Sequence, residues 1–202
     1  MLTAFGRCHL QRFASLPLIL TLAGCAIGNR YDYSHSIAGL PITGGGKLAV
    51  DVVDARPYVL NHEKSPNFIG LQRGGFGNPF DVTTKSGRPL ADEMRDAIAN
   101  SLERRGFTVV GTKDPAPRKL ELRVQEWKSD VMMRFSIHYD LTLIVYDAQG
   151  AVIASSTAKG SDVQGAGLES ANATIAAHEF EQRFTELIQD QAVNHALSAS
   201  QP

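Results

Sequence analysis

Cysteine is nearly missing from this chain: two occur in 202 residues, Cys8 and Cys25, both near the N-terminus. A domain built from the rest has no disulfide to brace it and no thiol to offer a metal, so it must hold by packing alone. Long hydrophobic runs are missing too. The longest, from Phe13 to Ile27, is about 15 residues and is interrupted by Pro17, against the ~20 needed to span a hydrocarbon core. An excess of either charge is also lacking, with 20 Lys and Arg against 21 Asp and Glu. That balance gives no electrostatic footprint for nucleic acid.

What is present begins with the first 25 residues. Arg7 and Arg12 precede a short apolar segment that stops at Leu22-Ala23-Gly24-Cys25. A basic start, an apolar middle and small residues before a cleavage point make a secretory signal. The last four residues resemble a bacterial lipobox, in which small side chains let a peptidase cut before a cysteine whose sulfur already carries lipid. The resemblance implies a signal peptide over residues 1–24 and a mature chain that starts at Cys25 with three acyl chains, palmitate among them. Two chains already anchor stably, at ~0.8 kcal/mol per buried methylene. Ala26 follows, where an aspartate would mark retention in the inner membrane, so the expected address is the periplasmic side of the outer membrane. Loss of Arg7 and Arg12 takes the formal charge of the mature chain to −3.

Residues 26–46 show neither strand nor helix periodicity and end in Gly44-Gly45-Gly46. With Cys25 they are expected to form a flexible tether over 25–46, reaching at most about 70 Å; part of this arm could instead pack on the domain. From Lys47 to about residue 198 the pattern is that of a single domain. Leu48, Val50 and Val52 alternate as a strand does, short strands are expected at 68–71, 80–84 and 107–110, and longer ones at 119–130, 135–147 and 152–162. Pro89 opens a helix with Leu90, Met94, Ala97, Ile98 and Leu102 on one stripe, and Gly106 ends it. A second helix is expected at 169–190 and a short one at 192–197. The economical architecture is α+β, a single mostly antiparallel sheet with two helices packed on one face.

The lipobox, "VVDARP", "FIGLQRGGFG", a helix ending "LERRGFTVV", a hairpin and a C-terminal helix occur in that order. Together they resemble the YajG-like family of bacterial lipoproteins, over residues 47 to 198. The resemblance implies an outer-membrane-anchored α+β domain and carries no catalytic residues with it.

No catalytic pattern emerges from the residues either. "GGFGNP" at 74–79 leads into a proline rather than a helix, so it does not cradle phosphate. The histidines lack the i, i+4 spacing of a helical metal site, and no metal or cofactor is expected. The expected binding face is the polar side of the sheet, with Arg123, Gln125, His138, Asp140 and Thr142 as candidates. Trp127 joins them if the alternation from Leu120, Leu122 and Val124 continues unbroken; a β-bulge near Gln125 or Glu126 would return it to the core. The expected function is that of a lipid-anchored binding or accessory module, without catalysis. Its partner would be an envelope protein or peptidoglycan. The alternatives are a structural or assembly subunit of an envelope complex and a peptidoglycan-acting enzyme. Replacing Cys25 by serine tests the anchor: the variant should incorporate no labelled palmitate and accumulate at precursor size, and normal trimming with fatty-acid label would refute the lipobox assignment.

Overall fold

One long strand sets the architecture. In the computed structural model, which describes residues 28–73, 78–132, 134–164 and 169–198, β6 (Arg118–Val131) borders β7 (Phe135–Asp147) along its whole length. Its other edge is divided. β2 (Lys47–Asp54) runs parallel to the first half, from Ala49 opposite Lys119 to Asp54 opposite Val124. β3 (Phe68–Arg73) runs parallel to the second half, with Gly70 opposite Ser129. Beyond β2 lies β5 (Thr108–Val110), and beyond β3 lie β4 (Pro79–Thr84) and then β1 (Arg30–Tyr31). On the far side β7 pairs with β8 (Val152–Gln164) through a hairpin whose Gly150 has φ 82°.

The helices are α1 (Pro57–Leu60), α2 (Leu90–Glu103), α3 (Glu169–Gln189) and α4 (Gln191–Ser198). The expected mostly antiparallel sheet with two helices is therefore corrected: the described residues form an eight-stranded mixed sheet with four helices. The pairings β1–β4, β2–β5, β2–β6 and β3–β6 are parallel, and β3–β4, β6–β7 and β7–β8 antiparallel. The reason is topological. Successive strands are expected from the sequence to form hairpins, but β2 inserts between β5 and β6, and a return to a parallel neighbour requires a crossover; α2 lies in the connections that bring β5 and β6 back beside β2 and β3.

α2, α3 and α4 share one core with the strand residues that face them. Leu48 and Val50 of β2, Leu120, Leu122 and Val124 of β6, and Leu141, Leu143 and Val145 of β7 are all buried in it. Ala154 and Ala158 are the buried positions of β8, small enough for the helices to come close; Ser156 Oγ donates to the Leu187 carbonyl at 2.8 Å. α3 is clasped to the sheet by Arg183, which lies over the Tyr139 ring at 5.0 Å and pairs with Glu179 at 2.9 Å.

The tether expected at 25–46 is, over its described part, a packed arm. Tyr31, Tyr33, Ala38, Leu40 and Ile42 are buried in the core. Tyr33 N–H donates to Glu93 Oε2 at 3.0 Å, Ala38 N–H to Ser101 Oγ at 3.0 Å and Ile37 N–H to Glu181 Oε1 at 2.9 Å. These bonds join the arm to α2 and α3. The Tyr33 ring meets both Trp127 and Phe180 edge-on, with centroids 6.1 Å away in each case. An aperiodic backbone can be buried here because side chains supply the partners that a ladder would otherwise provide.

The Asp54-Ala55-Arg56 motif is a clamp. The Arg56 side chain is fully buried, and its Nε and Nη2 grip Asp54 at 2.7 and 2.6 Å. Its other donors reach the carbonyls of Phe68 and Pro66, fastening the α1 loop at the entrance to β3. Gly70 is required by the next contact, since a Cβ there would collide with the Ser129 backbone of β6.

Two stability measurements follow. Tyr33→Phe removes the acceptor for the buried Trp127 N–H and should cost about 1–2 kcal/mol in urea unfolding. Arg56→Lys keeps the charge but loses the fork; about 3 kcal/mol of destabilisation is expected, with faster protease cleavage between residues 57 and 67. A stability loss near zero for either would contradict the role given to it.

Candidate functional site

The sheet face turned away from α2, α3 and α4 is polar, and strand alternation decides which residues reach it. β2 contributes Asp51, β6 contributes Lys119, Glu121 and Arg123, and β7 contributes His138, Asp140, Thr142 and Tyr146. The register places Asp51 beside Glu121, and Arg123 beside Thr142.

At one end these groups form a chain of charges. Lys119 Nζ bridges Asp51 at 3.0 Å and Glu121 at 2.9 Å. Arg123 Nε donates to Glu121 Oε1 at 2.7 Å, and the Tyr146 hydroxyl reaches the same oxygen at 3.3 Å. Glu121 is 6% exposed. Burial pushes its carboxyl up, but the hydrogen bonds from Lys119 and Arg123 outweigh that and hold it below the usual carboxylate range. Burial likewise works against the Lys119 ammonium, and its bonds to Glu121 and Asp51 raise it above the ordinary lysine value. A shallow depression of about 450 Å³ opens beside this chain, between Lys119, Glu121, Tyr146 and the loop around Asp114 and Pro115.

In the middle of the face, Gln125 Nε2 donates to Thr142 Oγ1 at 2.9 Å. At the other end Lys159 of β8 pairs with Asp140 at 2.6 Å, which lifts the lysine above its ordinary value. A second depression, about 730 Å³, lies there between Pro57, Gln125, Lys128, His138, Asp140 and Lys159.

Of the candidates read from the sequence, Arg123, His138 and Asp140 share this face. The cross-strand partners of Arg123 and Lys128 are Thr142 and His138, four residues apart along β7. Arg123 and His138 are therefore separated by about 13 Å at strand rise, too far for one small group but suited to an extended one. Trp127 is a correction. The β6–β7 register shifts between Val124 and Glu126, and this bulge turns Trp127 into the core. Its Nε1–H donates to Tyr33 Oη at 3.0 Å, and burial pushes the Tyr33 phenol well above its ordinary value. Cys25 lies outside the described residues.

Asp51, Lys119, Glu121, Tyr146 and Lys159 belong to the candidate site, and the sequence reading does not place them on the binding face. Alternation alone does point Lys119 and Glu121 away from Leu120 and Leu122; what it lacks is the register that brings Asp51 and Tyr146 alongside them. Among the described residues, no group of three or more His, Cys, Asp and Glu side chains is arranged to hold a metal ion.

No family model matches this sequence, and no curated protein matches it. Solved structures do. A Xanthomonas campestris protein of the family called DUF330 is similar at 17% identity with a TM-score of 0.52, over 73% of this chain and 84% of that one. An uncharacterized protein is similar at 10% identity, also with a TM-score of 0.52, over 79% of this chain and 95% of the other. Bacterial lipoproteins are among the weaker likenesses. One is the lipoprotein GNA1162 of Neisseria meningitidis, at 11% identity and a TM-score of 0.29, over 69% of this chain and 98% of that one. No described helix is long and apolar enough to cross a membrane. At these identities what the first two structures share with this chain is a fold.

Proposed function

We propose that this chain is a YajG-like lipoprotein held to the periplasmic side of the outer membrane by acyl groups on Cys25. Its domain binds an envelope protein or peptidoglycan through the polar face of the sheet and carries out no reaction. The observation that supports this reading is the ordered charge chain from Asp51 through Lys119 and Glu121 to Arg123. Around the buried Glu121 carboxylate, Asp51, Lys119 and Arg123 remain partly open to solvent, where ion pairs contribute little to stability, typically ~0–1 kcal/mol. Groups already held in place lose less freedom when a partner docks, which favours binding.

The packed arm alters how such a module would work. Tyr31, the first buried core residue, is six positions beyond Cys25. Six residues reach about 20 Å at most, so the domain would ride close to the lipid surface and meet partners embedded in or lying on the membrane.

The test uses a photo-crosslinking residue at Thr142 in intact cells. It should capture a discrete envelope component, and Arg123→Glu in the same chain should reduce that capture about ten-fold, as expected for reversing a charge at a docking face. Capture that is unchanged by the reversal would remove the polar face from consideration.

A further inference from the structure

A sheet that does not close leaves edges, and each edge strand presents a row of unpaired N–H and C=O groups. Two ends of this sheet are short: β1 has two residues and β5 has three. The end formed by β8 is different. It runs for 13 residues and, among the described residues, pairs only with β7. Edge strands are commonly guarded by proline, by outward lysines, by bulges or by brevity; the one bulge of β8 falls at Ile153, near its start, and the ladder with β7 is regular from Ala154 to Gln164. β8 contains no proline. Its one lysine, Lys159, is drawn sideways onto Asp140 of the neighbouring strand. The strand also carries three of the five exposed large hydrophobic residues among those described: Val152, Ile153 and Val163, at 59%, 41% and 61% exposure.

We propose that β8 pairs antiparallel with β8 of a second copy of this chain, about a two-fold axis at Ala158. The sequence of the strand is self-complementary in that register and poorly so in its neighbours. With the axis at Ala158, Ile153 stands opposite the partner's Val163 at both ends, Ser155 opposite the partner's Ser161, and Thr157 opposite the partner's Lys159. Apolar meets apolar, and no like charges face one another. An axis at Thr157 would set Ile153 against serine, and one at Lys159 would set two lysines directly opposite, which is destabilising. Isologous pairing of this kind is the commonest way that identical chains associate. A two-fold axis normal to the sheet leaves the helices of both copies on one side and joins their polar faces into one surface on the other. The pairing is independent of what that surface binds.

The experiment takes the full-length, acylated protein extracted in mild detergent and measures its assembly by sedimentation. The protein is expected to be a dimer at micromolar concentration. Ile153→Lys and Val163→Asp, both on exposed positions, should each raise the dissociation constant about ten-fold, because the two-fold uses each site twice. Together in one chain they should restore the dimer, each lysine now facing an aspartate. Circular dichroism melting of the variants separates lost pairing from lost folding. In intact cells, Thr157→Cys with a short bismaleimide should yield one product of twice the mass. A wild-type monomer, or a dimer indifferent to the single substitutions, would overturn the proposal. Failure of the double variant to restore pairing would overturn the register, and a crosslink only to a different protein would show that the edge receives a foreign strand.

Discussion

Two strands compete for one edge of β6, and the rest of the fold depends on how that conflict is settled. β2 ends its pairing at Val124, and β3 begins its own at Ser129. Between them, residues 125–128 have no ladder neighbour on that side, and here β6 bulges. Side chains and a short helix fill the gap. Ala55 N–H closes the β2 ladder onto the Val124 carbonyl at 2.9 Å, and the Tyr58 hydroxyl reaches Glu126 at 3.0 Å. Arg56 then caps the carbonyls leading into β3. A guanidinium buried without partners would cost several kcal/mol. The forked grip on Asp54 makes that burial tenable, and it fixes where β2 stops and β3 starts.

The same bulge decides what lies in the core. Without it, Trp127 would follow the parity of Arg123 and face solvent. With it, the indole enters the helix-side core, and its N–H needs a buried acceptor. Tyr33 supplies one, which requires the N-terminal arm to lie under α2 and α3 rather than swing free. The Tyr33 amide in turn bonds Glu93, whose other oxygen accepts from Ser86 Oγ at 2.6 Å. A local irregularity in one strand thus propagates, through satisfied polar groups, to the position of a segment nearly a hundred residues earlier in the chain.

Much of the element map was legible from residues alone. Leu90 through Leu102 fall on a helical stripe, Gly106 at φ 94° ends that helix, and Gly150 marks the hairpin, because periodicity and positive φ are local properties. Strand partnership is not local. Leu48, Val50 and Val52 announce a strand without saying that it inserts between β5 and β6, so the sheet was read as antiparallel. The packing of the arm, open as an alternative in the sequence, is not decided there for a related reason: Tyr31, Tyr33, Leu40 and Ile42 have no period, and the arm is held by acceptors offered by Glu93, Ser101 and Glu181. Arg123, His138 and Asp140 were found because alternation survives on β6 before the bulge and along β7. Trp127 lies past the bulge, where counting from Leu120 changes sign.

The composition of the polar face constrains the proposed docking. Asp51, Glu121, Glu126 and Asp140 are matched there by Lys119, Arg123, Lys128 and Lys159, so the face has no net field to steer a partner from a distance, and at physiological salt fields decay over about 8 Å. A partner docking there as proposed would have to be recognised at contact range, where an incoming group exchanges for a pairing already made: one that takes Arg123 would have to compensate Glu121, and one that takes Lys159 would have to compensate Asp140. Such a face would reject partners that offer charge without geometry. Its neutrality also removes the repulsion that two like-charged faces would feel when brought side by side, so that lengthening the sheet through β8 would enlarge the surface without electrostatic penalty.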